Sequence, residues 1–90
     1  MRFLHSTVRL VQVDTAAYRA AWADLRERAT QAGVRAWMFR HHHDETRYIE
    51  FLEWQQSELG NSPMLDPELR KHCDGLSTFG PGRTDEWVEA

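Results

Sequence analysis

A chain of 90 residues makes one domain, spanning residues 1–90, with a thin hydrophobic core. Its 41% hydrophobic and 28% charged residues exclude a disordered chain, and no run approaches the about 20 apolar residues of a membrane span. The net charge is −3, with scattered arginines and a single lysine, Lys71, so the one-sign patch that nucleic-acid binding needs is absent.

The first element reads as a strand from Phe3 to Val13, rich in β-branched residues. Val8 and Leu10 alternate with Arg9 while Val11 and Val13 fall on the other parity, which points to burial on both faces. The opening MRFLHSTVRLVQVD lacks the continuous apolar run of a secretory leader, and Cys73 is the lone cysteine. Both features point to a cytoplasmic, reducing location.

Asp14 or Thr15 offers an N-cap for a helix from Thr15 to Ala32, a run without Gly or Pro and rich in Ala, Arg and Glu. Tyr18, Trp22, Leu25, Ala29 and Ala32 form one apolar stripe at three- and four-residue spacing, and read as core. Gly33 suits the left-handed position that ends such a helix.

Val34 to Trp54 reads as two strands folded back around a polar turn at Asp44 and Glu45. Pairing His41 with Tyr48 and Phe39 with Glu50 places Arg35, Trp37, Phe39, His41, Tyr48, Glu50, Leu52 and Trp54 on one face. The other face then carries Ala36, Met38, Ile49 and Phe51, which suit packing beneath helices. The first face is too apolar to stand in water, so a second subunit's sheet is expected to cover it.

Beyond a GNSP loop (Gly60 to Pro63), Asp66 reads as a cap with Pro67 at the first helical position. Leu65, Leu69, Cys73 and Leu76 give a short second stripe ending near Gly75. A Gly80–Gly82 loop leads to a short last strand, Glu86 to Glu89. The order is β-α-β-β-α-β, an α+β ferredoxin-like arrangement in which an antiparallel sheet carries two helices on one face.

The helix YRAAWADLRERATQAG and the strands VRAWMFRHH and TRYIEFLEWQ resemble the dimeric α/β-barrel superfamily. That superfamily includes antibiotic-biosynthesis-monooxygenase-like and stress-responsive barrel domains. The resemblance implies a homodimer joined sheet to sheet into a barrel. Known activities in the group include cofactor-free oxygenation of polycyclic phenols, haem degradation and muconolactone isomerisation.

Within the hairpin, His41, Tyr48 and Glu50 are the candidate catalytic set, because a histidine and a partly buried carboxylate can pass a proton. Trp37, Phe39 and Trp54 would wall a pocket for an aromatic or planar ligand. The competing reading makes these aromatics a dimer core, with Glu50 paired to an arginine such as Arg35. In His41-His42-His43, neighbouring strand side chains point to opposite faces, so the triplet reads as a hydrophilic hairpin end rather than a metal site. No cofactor motif is present, and Cys73 reads as packing. The expected function is that of a small-molecule-binding protein or a cofactor-independent monooxygenase-like enzyme. The alternative is a non-catalytic homodimeric interaction module.

Overall fold

The computed structural model describes residues 1–57 and 59–90. In chain order they form β1 (Arg2–Leu10), α1 (Thr15–Gln31), β2 (Arg35–Arg40), β3 (Arg47–Gln55), α2 (Pro67–Gly75) and β4 (Gly82–Val88). Short 3-10 turns at Pro63–Leu65 and Leu76–Phe79 flank α2. The strands make one sheet in the order β2-β3-β1-β4, with every neighbouring pair antiparallel. Both helices lie on one face, as the ferredoxin-like order requires. No helix among the described residues is long and apolar enough to cross a membrane.

α1 starts where expected: the Asp14 side chain accepts from the Ala17 backbone N–H at 3.3 Å. It ends in a Schellman arrangement, with Gly33 at φ 82°. There the Gly33 N–H donates to Thr30 at 3.2 Å and the Val34 N–H to Ala29 at 2.8 Å. Tyr18, Trp22, Leu25 and Ala29 are buried as one stripe, joined in the core by Val11, Val34, Leu69 and Leu76. Leu65, expected in the second stripe, is exposed.

The hairpin register departs from the sequence reading by one residue. Trp37 pairs with Phe51, Met38 with Glu50, Phe39 with Ile49, and Arg40 with Tyr48. The cause is the turn. The Asp44 carboxylate accepts from both the Thr46 N–H (2.9 Å) and the Thr46 hydroxyl (2.6 Å). The Arg47 N–H donates back to the Asp44 carbonyl at 3.2 Å, so the reversal centres on Asp44 alone and not between Asp44 and Glu45. A slip of one residue exchanges the faces of a whole strand. Ala36, Met38, Tyr48, Glu50, Leu52 and Trp54 therefore lie under the helices, with Phe3, His5, Thr7 and Arg9 of β1 beside them. Trp37 and Phe39 share the open face with Ile49 and Phe51, and the Trp37 and Phe51 rings stack at 5.7 Å.

Three other expectations are corrected. β1 ends at Leu10; the bend that follows buries Val11 and leaves Val13 exposed. Asp66 precedes Pro67 as expected but makes no cap bond, because the Arg28 guanidinium takes both its carboxylate oxygens at 2.6–2.9 Å. β4 begins at Gly82, four residues before the expected start at Glu86, since the backbone of β1 templates residues whose own strand preference is weak.

At Gly80 the chain passes directly against the Leu10 carbonyl, leaving no room for a Cβ. Gly80→Ala should destabilise the fold by about 2–3 kcal/mol in urea denaturation, since the backbone of one segment must move. Gly75→Ala, where nothing lies within 4 Å of an added Cβ, is the control expected to be neutral or stabilising.

Candidate functional site

Between the sheet and the two helices lies a cavity of about 210 Å³. Alternation along β1 aims His5, Thr7 and Arg9 into it, and β3 adds Glu50 and Leu52 by the same rule. α1 supplies Trp22 and Leu25, the α2 side supplies Met64, Cys73, Asp74 and Leu76, and Thr84 of β4 closes the rim. Apolar and polar residues share the wall, and all its polar groups but Asp74 come from the strands, as in small-ligand sites.

The floor is charged. Arg9 and Glu50 are only 7% and 5% exposed, yet both are ionisable. Arg9 Nε donates to Glu50 Oε2 at 2.7 Å and Nη2 to Oε1 at 3.1 Å, a two-point pair. The Tyr18 hydroxyl donates to Glu50 Oε2 at 2.6 Å, and Arg9 Nη1 donates to the Gly80 carbonyl at 2.9 Å. Burial alone would lower the Arg9 pKa; the hydrogen bond and charge of Glu50 outweigh it and raise the pKa. Burial, then the Glu50 carboxylate, pushes the Tyr18 hydroxyl upward, so it remains a donor. Burial also pushes the Cys73 thiol up to about 11, which keeps it protonated and unreactive near neutrality.

The residues singled out in the sequence are separated. Glu50 is in the cavity. Tyr48 is buried nearby with its ring edge-on to Tyr18 at 5.0 Å, outside the cavity lining. Trp54 packs under the helix side, stacked on Phe3 at 5.8 Å and edge-on to His5 at 4.8 Å. Trp37 and Phe39 are on the opposite face, and His41 sits exposed at the turn, its Nδ1 accepting from the His43 N–H at 3.0 Å. The register thus parts His41 from Tyr48 and Glu50. Arg35 reaches Glu53 at 3.8 Å, so the partner of Glu50 is Arg9 and not Arg35. Among the described residues, no group of three or more His, Cys, Asp or Glu is placed to hold a metal ion.

In the sequence, Tyr18 reads as core, His5 as an ordinary packed or surface residue that could join a pocket, and Arg9 only as a strand position. For His5 and Arg9 the signal lies in β1, where His5, Thr7 and Arg9 give a polar parity opposite Leu4, Val8 and Leu10. Because Glu50 balances the buried Arg9, Glu50→Ala should cost about 3–5 kcal/mol in chemical denaturation. Replacing both partners together, Arg9→Met with Glu50→Leu, should recover most of that loss.

No protein-family model matches the chain, and no curated protein matches it significantly. Solved structures do. SnoaB, a cofactor-independent oxygenase from Streptomyces nogalater, superposes with a TM-score of 0.81 at 12% identity, over 99% of this chain and 93% of that one. A proposed antibiotic biosynthesis monooxygenase from Nitrosomonas europaea gives 0.77 at 14% identity, over 98% and 89%. A protein of unknown function from Bacteroides thetaiotaomicron gives 0.75 at 11% identity, over 96% and 94%.

Proposed function

We propose that this chain, which has the fold of the antibiotic biosynthesis monooxygenase-like proteins, binds a small planar aromatic ligand between its sheet and helices and oxygenates it without an added cofactor. The observation that carries the reading is the cavity itself. Trp22, Leu25 and Leu52 offer flat apolar walls over a buried Arg9–Glu50 pair, a floor a purely structural core has little reason to keep. A volume of about 210 Å³ lies below the roughly 300–1,000 Å³ of drug-sized pockets, so the ligand has one or two rings. The chemistry is oxidation of a phenol ring carbon to a quinone carbonyl, with dioxygen as oxidant and water as the second product.

1-Naphthol is the direct probe, since 1-naphthol plus dioxygen gives 1,4-naphthoquinone plus water. Binding should quench the tryptophan emission of Trp22, and an oxygen electrode should record uptake matched to quinone formed. Thr84→Trp, which fills the rim, should abolish both, while His41→Ala should leave both unchanged. Binding without oxygen uptake reduces the reading to a binding protein; no binding at all removes it.

The second reading concerns assembly, and the open sheet face favours it. Val8, Leu10, Phe39 and Trp87 are each 40–56% exposed there, beside half-buried Leu4, Trp37, Ile49 and Phe51. So large an apolar surface calls for a cover, and a second copy of the same face supplies one by two-fold symmetry. We infer a homodimer joined through these faces. Sedimentation should give a dimer at micromolar concentration, and Phe39→Glu should shift it to monomer or aggregate. A wild-type monomer contradicts the pairing. If the chain dimerises but the cavity takes no ligand, its role is that of a non-catalytic interaction module.

A further inference from the structure

The cavity offers few groups that can accept a proton. Glu50 already receives Arg9 through two nitrogens and Tyr18 through its hydroxyl. The Cys73 thiol is half-buried in an apolar wall, and Arg9 has no acceptor at all. Asp74 stands at the exposed end of α2, where water solvates it. His5 differs from all of these. It lies on the cavity wall with its side chain 25% exposed, between the ligand space and bulk water. Its ring is held edge-on against Trp54 at 4.8 Å, and its Nε2 lies 3.3 Å from Glu86 Oε1 across the β1–β4 pair. The Glu86 carboxylate beside Nε2 orients the imidazole with its N–H on that side, leaving Nδ1 as the acceptor that can receive a proton.

The opposite end of the same strand face is Arg9. Four residues separate it from His5, about 13 Å between backbone positions at roughly 3.3 Å per residue, with Thr7 between them. Three of the five guanidinium N–H groups are directed to Glu50 and Gly80. The remaining two belong to a group lining the cavity, and they suit an oxygen bearing negative charge.

We propose that His5 takes the hydroxyl proton of the bound ligand and that Arg9 receives the oxygen at the ligand's far end onto which the resulting charge is conjugated. The substrate class is then a planar phenol carrying a conjugated carbonyl, or an equivalent acceptor, opposite its hydroxyl. The ligand O–H bond breaks, its proton passes to His5 Nδ1, and the electron pair left on oxygen delocalises through the ring toward the acceptor near Arg9. The charged groups facing His5 are Glu86 on β4, Glu50 on β3, Arg9 on its own strand and Asp74 on α2; α1 presents only Trp22 and Leu25 to the cavity. This assignment rests on the cavity being the ligand site, as proposed above.

4-Nitrophenol is a suitable probe, because its nitro group is the far-end acceptor and its phenolate is coloured. 4-Nitroanisole has the same shape without the proton. Wild-type protein should bind both, and should hold 4-nitrophenol as phenolate to a pH about one unit lower than free solution, a tenfold change in proton affinity. His5→Gln should abolish that displacement while the Kd for 4-nitroanisole stays the same. 4-Methylanisole, which offers Arg9 no acceptor, should bind roughly tenfold more weakly than 4-nitroanisole. A phenolate band that persists in His5→Gln overturns the role of His5. Equal affinities for the two anisoles overturn that of Arg9. If neither nitro compound binds wild-type protein, the cavity reading falls along with the assignment.

Discussion

The buried Arg9–Glu50 pair, with Tyr18 as its third member, is the interaction on which this structure turns. It links β1, β3 and α1 through three hydrogen bonds, and a fourth ties the loop before β4. Placing these charges away from water carries a desolvation penalty of several kcal/mol per ion, met only when geometry and hydrogen bonding are nearly complete. Here both carboxylate oxygens are engaged, and no buried side-chain polar atom among the described residues lacks a partner. The arrangement tolerates little displacement of the elements that hold it. Gly80 illustrates the constraint, since the carbonyl that serves Arg9 belongs to a residue pressed against the Leu10 backbone.

Much of the architecture was legible in local chemistry. The α1 stripe, its Asp14 cap and its Gly33 terminus are set by residues within one or two turns, so propensity and spacing suffice. The antiparallel sheet with helices on one face followed from the order of the elements. The hairpin register did not, because it depends on one Asp44 carboxylate taking two bonds from Thr46 instead of leaving the turn open. That single choice redistributed the candidate site. Glu50 moved from the face of Trp37 to the helix-covered face, where its companions became Arg9 and Tyr18, drawn from elements distant in sequence. The alternation of β1 marks which of its side chains share a face, but no single segment reveals which distant residue each will meet. Arg28 and Asp66 make the same point on the helix side, where a two-point ion pair displaced an ordinary cap.

The corrected register divides labour between the two faces of the sheet. The helix-covered face combines the charged floor with a cavity, whereas the open face carries the aromatic and aliphatic groups from Trp37 to Trp87 together with charged residues such as Arg35, Glu53 and Arg83. Trp37 and Phe39, which first suggested a ligand wall, therefore lie on the open face, while Trp54 and the polar parity of β1 lie beneath the helices.

β4 lies at the edge of the sheet, pairs only with β1, and has no buried residue along its length. Its amide protons should therefore exchange with solvent through local fraying at a small fraction of the global unfolding free energy, well before those of β1 and β3. Thr84 and Glu86 sit on that strand, one at the cavity rim and the other beside His5. The cavity thus has one wall drawn from the two central strands and one from an edge strand. Its mouth can breathe without disturbing the charged floor beneath.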